Sequence, residues 1–344
     1  MVNRESLEER LDKIIIPIMN ENTPGMALLI AEGEEVILRK AYGMADLERH
    51  IPITINDNFV IASNTKQFTC LAIMMLKEKG LLDYDETIER FFPDFPEYNK
   101  IVTIRQLMNH QSGIKEYFED DTWTKWEGAE CATTEEMLEI IKKFDGLDFE
   151  PGTQYSYSNS AYVMLGNIIE QITNTPFGKF IKENIIDKVG MLNTFAPDYL
   201  DDRPDNLIEG YTIKEDGSFK KQEYDMALVG YADGNMQSNV DDMYKWHNFL
   251  YMSNSDKIMS RETMDEAFIE NQLKDGTKTG YGFGFFIGEW NGHREIWHTG
   301  GTNGFISRCS RYVDDNLSVI MLTNYEGLPK DELYEKIINQ VITI

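Results

Sequence analysis

Ser63 and Lys66 stand three residues apart at the head of a long apolar stretch that includes Phe68, Leu71, Ile73, Met74, Met75 and Leu76. On a helix, positions three apart share a face, so this spacing sets an amine beside a hydroxyl. A serine hydroxyl is a poor nucleophile until something accepts its proton, and a fixed neighbouring amine can do so. The competing role is structural, because serine often caps a helix N-terminus. The same spacing recurs in Ser112-Gly113-Ile114-Lys115 and in Ser218-Phe219-Lys220-Lys221. The first opens on a Ser-Gly turn signal, and the second follows Glu215-Asp216-Gly217, which is also turn chemistry. Only Ser63 heads a helix that a core would anchor.

Two further segments carry groups that such a nucleophile needs. Tyr157-Ser158-Asn159 follows Glu150-Pro151-Gly152-Thr153 and precedes a helical pattern from Ser160. A phenol near a cation gives up its proton more easily and can relay one between nucleophile and leaving group. Asn159 can donate and accept hydrogen bonds to a substrate amide, or simply cap the helix. His298-Thr299-Gly300-Gly301, with Asn303-Gly304 after it, lies between two strand patterns. Glycines there let a substrate backbone approach, and an exposed strand edge can pair with a peptide. That edge also offers a backbone N–H for an oxyanion hole opposite the N–H of Ser63. Lys278-Thr279-Gly280 is set aside, because Asp275-Gly276-Thr277 reads as a turn and the aromatic strand begins only after it.

The elements that must position these groups are read from periodicity. Residues 5 to 20 form an amphipathic helix, with Leu7, Leu11, Ile14, Ile15 and Ile18 on one side. Gly25 to Ala31 and Val36 to Tyr42 read as a hairpin through Glu32-Gly33-Glu34. From 63 to 190 the signals are mostly helical, including Thr103 to His110, Thr134 to Phe144 and Ser160 to Thr173. Strands return at Gly282 to Trp290, Glu295 to His298, Phe305 to Val313 and Leu317 to Thr323, before a last helix over 330 to 342. Strands at both ends and helices between them predict an α+β fold. In it, one antiparallel sheet drawn from both termini is flanked by helices, with an inserted helical lobe. The expected division is a sheet lobe of about 1–60 plus 275–344 and a helical and loop lobe of about 61–274, within one catalytic domain.

The 344 residues carry 59 acidic and 33 basic side chains, a net charge of -26. Such a surface repels phosphate backbones and anionic lipid, which argues against nucleic-acid or membrane-surface partners. Cys70, Cys131 and Cys309 are too few and too scattered for a disulfide framework or a cysteine zinc site. The five histidines show no His-Glu-x-x-His or other zinc spacing. No apolar run approaches the ~20 residues of a membrane span. Near the start, Ile14 to Met19 is short, interrupted by Pro17 and preceded by Glu5, Glu8, Glu9 and Asp12, unlike a secretory leader. The written chain is thus expected to be cytoplasmic, or exported with its leader absent. Oligomeric state is not readable.

Taken together and in order, Ser63-x-x-Lys66, Tyr157-x-Asn159 and His298-Thr299-Gly300 resemble the serine β-lactamase and penicillin-binding-protein superfamily, in its class C β-lactamase-like branch. The resemblance spans nearly the whole chain. It includes Tyr42-Gly43-Met44-Ala45-Asp46, Thr103-Ile104-Arg105-Gln106-Leu107, His110-Gln111-Ser112-Gly113, Pro151-Gly152-Thr153, Tyr281-Gly282-Phe283-Gly284 and Leu322-Thr323-Asn324. It implies that Ser63 attacks a carbonyl to form an acyl-enzyme, and that Lys66 and Tyr157 manage the protons. Asn159 would hold the substrate or Lys66, and the N–H groups of Ser63 and Gly301 would form the oxyanion hole. His298, Thr299 and Gly300 would line the substrate edge. The implied fold is a β-lactamase/transpeptidase-like α/β sandwich, and no metal or cofactor is implied. The substrate is a small molecule or short peptide cleaved at an amide or ester, as in D,D-peptidases, D-aminopeptidases and carboxylesterases.

The chain departs from that pattern at His298, where class C β-lactamases have lysine. Histidine has an unperturbed pKa of ~6.5 and gives only a partial charge for a substrate carboxylate at neutral pH. Weak β-lactamase or penicillin-binding activity is therefore the expectation, with a dedicated class C-like β-lactamase as the alternative. A second alternative is a catalytically silent ligand-binding module, for which Lys66 and Tyr157 would serve no purpose. An α/β-hydrolase is disfavoured, since no Gly-x-Ser-x-Gly elbow occurs. Ala232-Asp233-Gly234-Asn235-Met236 is less glycine-rich than in relatives. The aromatics of 114 to 133 (Tyr117, Phe118, Trp123 and Trp126) would line an acyl pocket or cover the helical lobe.

Overall fold

The computed structural model describes residues 6–117, 134–198, 204–222, 231–251 and 257–342. The helices used below are α1 (Leu7–Ile15), α2 (Thr65–Glu78), α3 (Ile104–Met108), α4 (Thr134–Lys143), α5 (Asn159–Thr173), α6 (Val240–Tyr251) and α7 (Lys330–Val341). The strands are β1 (Met26–Glu32), β2 (Glu35–Tyr42), β3 (Phe286–Trp290), β4 (His293–Thr302), β5 (Phe305–Tyr312) and β6 (Leu317–Thr323). They form one six-stranded antiparallel sheet in the order β2-β1-β6-β5-β4-β3. The expected α+β architecture is what the chain adopts, with strands from both ends meeting where β1 pairs with β6, Met26 opposite Thr323.

β1 is apolar without alternation because both of its faces are covered. Met26, Leu28 and Ile30 pack with Leu11 and Ile15 of α1 and Leu333, Ile337 and Ile338 of α7. Ala27, Leu29 and Ala31 point the other way, into a larger core containing Phe68 of α2 and Trp246 of α6. α1 begins at a capping box, in which the Ser6 hydroxyl accepts from the Glu9 N–H and the Glu9 carboxylate accepts from the Ser6 N–H. It ends at Ile15, two residues before Pro17, so the helix is shorter than the sequence pattern.

α2 is buried on every side from Thr65 to Leu76, as expected of a helix crossing a core rather than lying on it. Asn324, just beyond β6, ties the sheet to its surroundings. Its carbonyl accepts from Gly25 N at 2.7 Å, and its amide donates to the carbonyls of Met44 and Glu209.

Two readings of the strands are corrected. β4 runs on through Thr302 rather than stopping at His298, because Thr299-Gly300-Gly301 keeps the ladder with β5. β3 starts at Phe286, since Gly282–Phe285 closes a turn and Gly284 has φ +81°. A hairpin within the middle segment, Gly210–Ile213 with Phe219–Gln222, was not anticipated, although Asp216-Gly217 forms its turn. Among the described residues no helix is long and apolar enough to cross a membrane.

Candidate active site

Ser63 lies in a single 3-10 turn, Ala62–Asn64, directly before α2. Neither this turn nor α2 has a side-chain cap, so the Ser63 hydroxyl is not spent on capping. A relay of buried hydrogen bonds fixes the turn to the sheet. Trp246 Nε1 donates to Gln67 Oε1, Gln67 Nε2 to Asn64 Oδ1, Asn64 Nδ2 to Ser307 Oγ, and Ser307 Oγ to the Ile61 carbonyl, all within 2.7–2.8 Å. This rigidity is needed because Ala62 is held at φ +46°, a left-handed conformation that costs a side-chain-bearing residue about 1–2 kcal/mol.

Lys66, fully buried, reaches three acceptors. Its Nζ lies 3.2 Å from Ser63 Oγ, 2.8 Å from Asn159 Oδ1 and 2.7 Å from the Asp233 carbonyl. A neutral amine in this place keeps two N–H donors for Asn159 and Asp233 and turns its lone pair to Ser63. Burial lowers the Lys66 pKa to about 8, against the pull of the nearby Asp233 and Glu116 carboxylates and the Cys70 thiol.

Tyr157 and Asn159 flank the start of α5. Ser158 takes the N-cap role, its hydroxyl accepting from Ala161 N, which leaves Asn159 free to face Lys66. Glu116 accepts from Asn159 Nδ2 at 3.1 Å and from Ser160 N at 3.3 Å, so it decides that the amide oxygen faces the lysine. Burial raises the Glu116 pKa, opposed by its hydrogen bonds with Ser158, Asn159 and Ser160 and by the Lys66 charge. The Tyr157 ring centroid is 4.9 Å from Lys66 Nζ. Burial drives its phenol well above the ordinary tyrosine value, with the adjacent Ser63 side chain opposing the shift. Among the described residues no hydrogen bond to its hydroxyl has ordinary geometry.

His298 is wholly buried rather than displayed on an edge. Its Nδ1 lies 2.6 Å from the Thr299 carbonyl, which can only accept, so Nδ1 carries the proton and Nε2 accepts from the Tyr281 hydroxyl at 3.0 Å. Burial and the Lys66 charge lower its pKa to about 3. The partial charge expected of it at neutral pH is therefore absent: an uncharged imidazole fits this enclosed position.

Past His298 the strand does become an edge. β3 pairs with β4 only over His293 to Trp297, so Thr299 to Thr302 have β5 on one side and no paired strand on the other among the described residues. Gly301 there is exposed. Gly300 presses on the nucleophile turn, where an added Cβ would meet the Ile61 carbonyl at 2.2 Å and Ser307 Oγ at 2.5 Å, whereas a Cβ on Gly301 would meet nothing within 4 Å. Gly300→Ala is accordingly expected to push β4 off the turn and cut kcat/KM about 100-fold. Gly301→Ala, measured alongside, should leave the unfolding midpoint unchanged, since no protein atom opposes the methyl group.

The structure thus gathers Ser63, Lys66, Tyr157 and Asn159, with Gly300 against the same turn and His298 one layer beneath. It adds Glu116, Asp233, His110 and Tyr281, to which sequence reasoning gave no role. Asp233 is held by Tyr117 Oη at 3.0 Å and Tyr231 N at 2.7 Å. Tyr117 is buried in this network, not lining a pocket, while Phe118, Trp123, Trp126 and Cys131 lie outside the described residues. Ser112 accepts from Ile114 N within a turn, and Lys278 pairs with Glu270, so neither alternative motif joins the site. Among the described residues no group of three or more His, Cys, Asp or Glu side chains is placed to hold a metal ion.

The family model described as beta-lactamase matches residues 11–341. Penicillin-binding protein 4* of Bacillus subtilis is 30% identical over 328 residues, covering 90% of this chain and 70% of that protein. A D-aminopeptidase of Brucella anthropi is 28% identical over 315 residues, and the match spans 90% of this chain but only 57% of that longer protein. The octameric penicillin-binding protein homologue from Pyrococcus abyssi superposes with a TM-score of 0.83 at 25% identity, over 97% of this chain and 76% of that one. The chain belongs to the beta-lactamase family of serine hydrolases.

Proposed function

We propose that this chain cleaves a small peptide amide or ester, with D-amino-acid peptides as the leading substrate class, through an acyl-enzyme on Ser63. The observation that carries the reading is the Lys66 amine 3.2 Å from Ser63 Oγ, with burial holding its pKa near 8. A good fraction of that amine is neutral near physiological pH and can take the serine proton. As Oγ bonds to the substrate carbonyl, the N–H groups of Ser63 and Gly301 receive the oxyanion. Tyr157, whose burial keeps the phenol protonated, gives its proton to the leaving nitrogen or oxygen and regains one from the Lys66 ammonium. The net transfer is Ser63's proton to the leaving group. Water then attacks the ester, Lys66 accepts its proton, and Ser63 departs with a proton restored.

The named activity of the D-aminopeptidase relatives supports a substrate with a D-amino acid. The neutral His298 favours a substrate that needs no fixed positive charge at that position, which counts against efficient β-lactam hydrolysis. Turnover of D-amino-acid p-nitroanilides, D-Ala-D-Ala peptides, p-nitrophenyl esters and nitrocefin should be compared. The expected result is hydrolysis of D-configured amides or esters with nitrocefin much slower. Nitrocefin as the fastest substrate would establish the β-lactamase alternative, and no turnover of any of them would favour a silent binding module.

A further inference from the structure

We propose that His110 is the positioning residue for Tyr157, holding the phenol at the leaving group by a backbone clamp on both of its neighbours. The inference rests on the reading above, in which Tyr157 delivers a proton. Among the described residues the Tyr157 hydroxyl has the Ser63 side chain beside it but no hydrogen bond of ordinary geometry, so its position is set through the backbone that carries it. The backbone on either side answers to a single residue. Ser156 N donates to the His110 carbonyl at 2.9 Å, and Ser158 N donates to His110 Nδ1 at 3.0 Å. The His110 ring lies over the Tyr157 ring, with centroids 4.3 Å apart and planes 32° apart. Tyr281 and Tyr162 close around the same imidazole at 4.7 and 5.1 Å.

His110 itself is held in an unfavourable conformation. It follows α3 at φ +60°, where a non-glycine residue is uncommon. Such a conformation persists when its surroundings over-determine it, and it is found most often where geometry matters to function. Nδ1 must be unprotonated to accept from Ser158, which places the proton on Nε2. Burial, helped by the nearby Lys66 and His298, disfavours a second proton. Protonation would turn Nδ1 into a donor facing another donor, so the clamp works only with a neutral ring.

The consequence concerns the leaving group. An amide nitrogen must be protonated to depart, whereas p-nitrophenoxide leaves without a proton. Misplacing Tyr157 should therefore slow amide cleavage and spare acylation by p-nitrophenyl esters. A general loss of packing would lower both.

His110→Gly suits the φ +60° backbone and removes both acceptor and ring. Its amide kcat should fall about 100-fold, the scale of a misplaced catalytic group, with KM little changed and ester acylation within about threefold. His110→Asn keeps a carbonyl acceptor near the Nδ1 position and tolerates the same φ, and should restore most of the amide rate. If the glycine variant does not fold, His110→Leu fills the ring's volume without an acceptor and should show the same pattern. In a Tyr157→Phe background, His110→Gly should cost nothing further on amides. Equal losses on amide and ester, or failure of His110→Asn to recover the amide rate, would overturn the proposal. Tyr157→Phe with unimpaired amide cleavage would instead refute the proton-delivery reading itself.

Discussion

Ser63→Ala should abolish turnover and covalent labelling while leaving a folded protein. The parent chain, incubated with a fluorophosphonate or a labelled penicillin, should gain one covalent mass, and the variant none. Removing the nucleophile of a serine hydrolase leaves only binding and oxyanion stabilisation, so a loss of about 10⁵- to 10⁶-fold in kcat is expected. The fold should hardly notice. The Ser63 hydroxyl accepts from Lys66 and lies against the Tyr157 phenol, and the turn that carries it is held by Asn64, Gln67, Trp246 and Ser307 rather than by Ser63. Loss of one partly exposed hydrogen bond is worth about 1 kcal/mol or less. Continued labelling at full stoichiometry in the folded variant would remove Ser63 from the chemistry.

Much of this site was legible in the sequence because its parts are local. Ser63 and Lys66 are fixed to each other by helix periodicity, and Tyr157 and Asn159 sit together at a helix start. The sheet was legible for a similar reason: β1, β2, β5 and β6 are short runs rich in β-forming residues and bounded by turn residues. What escaped depends on contacts between distant segments. Asp233 serves Lys66 through its backbone carbonyl, which no side-chain pattern encodes. Glu116 matters because it selects the face Asn159 turns to Lys66, a relation across 43 positions. His298 reads as a partly charged group on an exposed strand edge, because nothing in the sequence around Thr299-Gly300-Gly301 shows what will enclose the ring. In the fold those glycines continue β4, and Tyr281 closes over the imidazole.

Lys66→Met is the sharper test, because it separates the base from the nucleophile. The variant keeps Ser63, its turn and the oxyanion donors, so substrate should bind while acylation slows about 10³-fold or more, the scale of a lost general base. In the parent, the acylation rate should rise with pH as the ammonium of Lys66 loses its proton, and level off above about 8. The same titration has a sign in stability. Unfolded, this lysine releases its proton near its ordinary value of 10.5, and folded, near about 8. Between those values the unfolded chain binds the extra proton, so stability contributed by Lys66 increases as pH rises through that window. Below it both states are protonated and the full cost of burying the cation remains. The unfolding free energy of the parent minus that of Lys66→Met should thus climb by about 3 kcal/mol from neutral to strongly alkaline pH. At neutral pH the two should be of similar stability, since methionine relieves the buried charge but leaves the Asn159 and Asp233 carbonyls without their donor. Urea unfolding of both proteins across that range measures the difference directly. A flat difference, together with a pH-independent acylation rate, would mean that Lys66 does not titrate in the folded site, and the proton of Ser63 would need another acceptor.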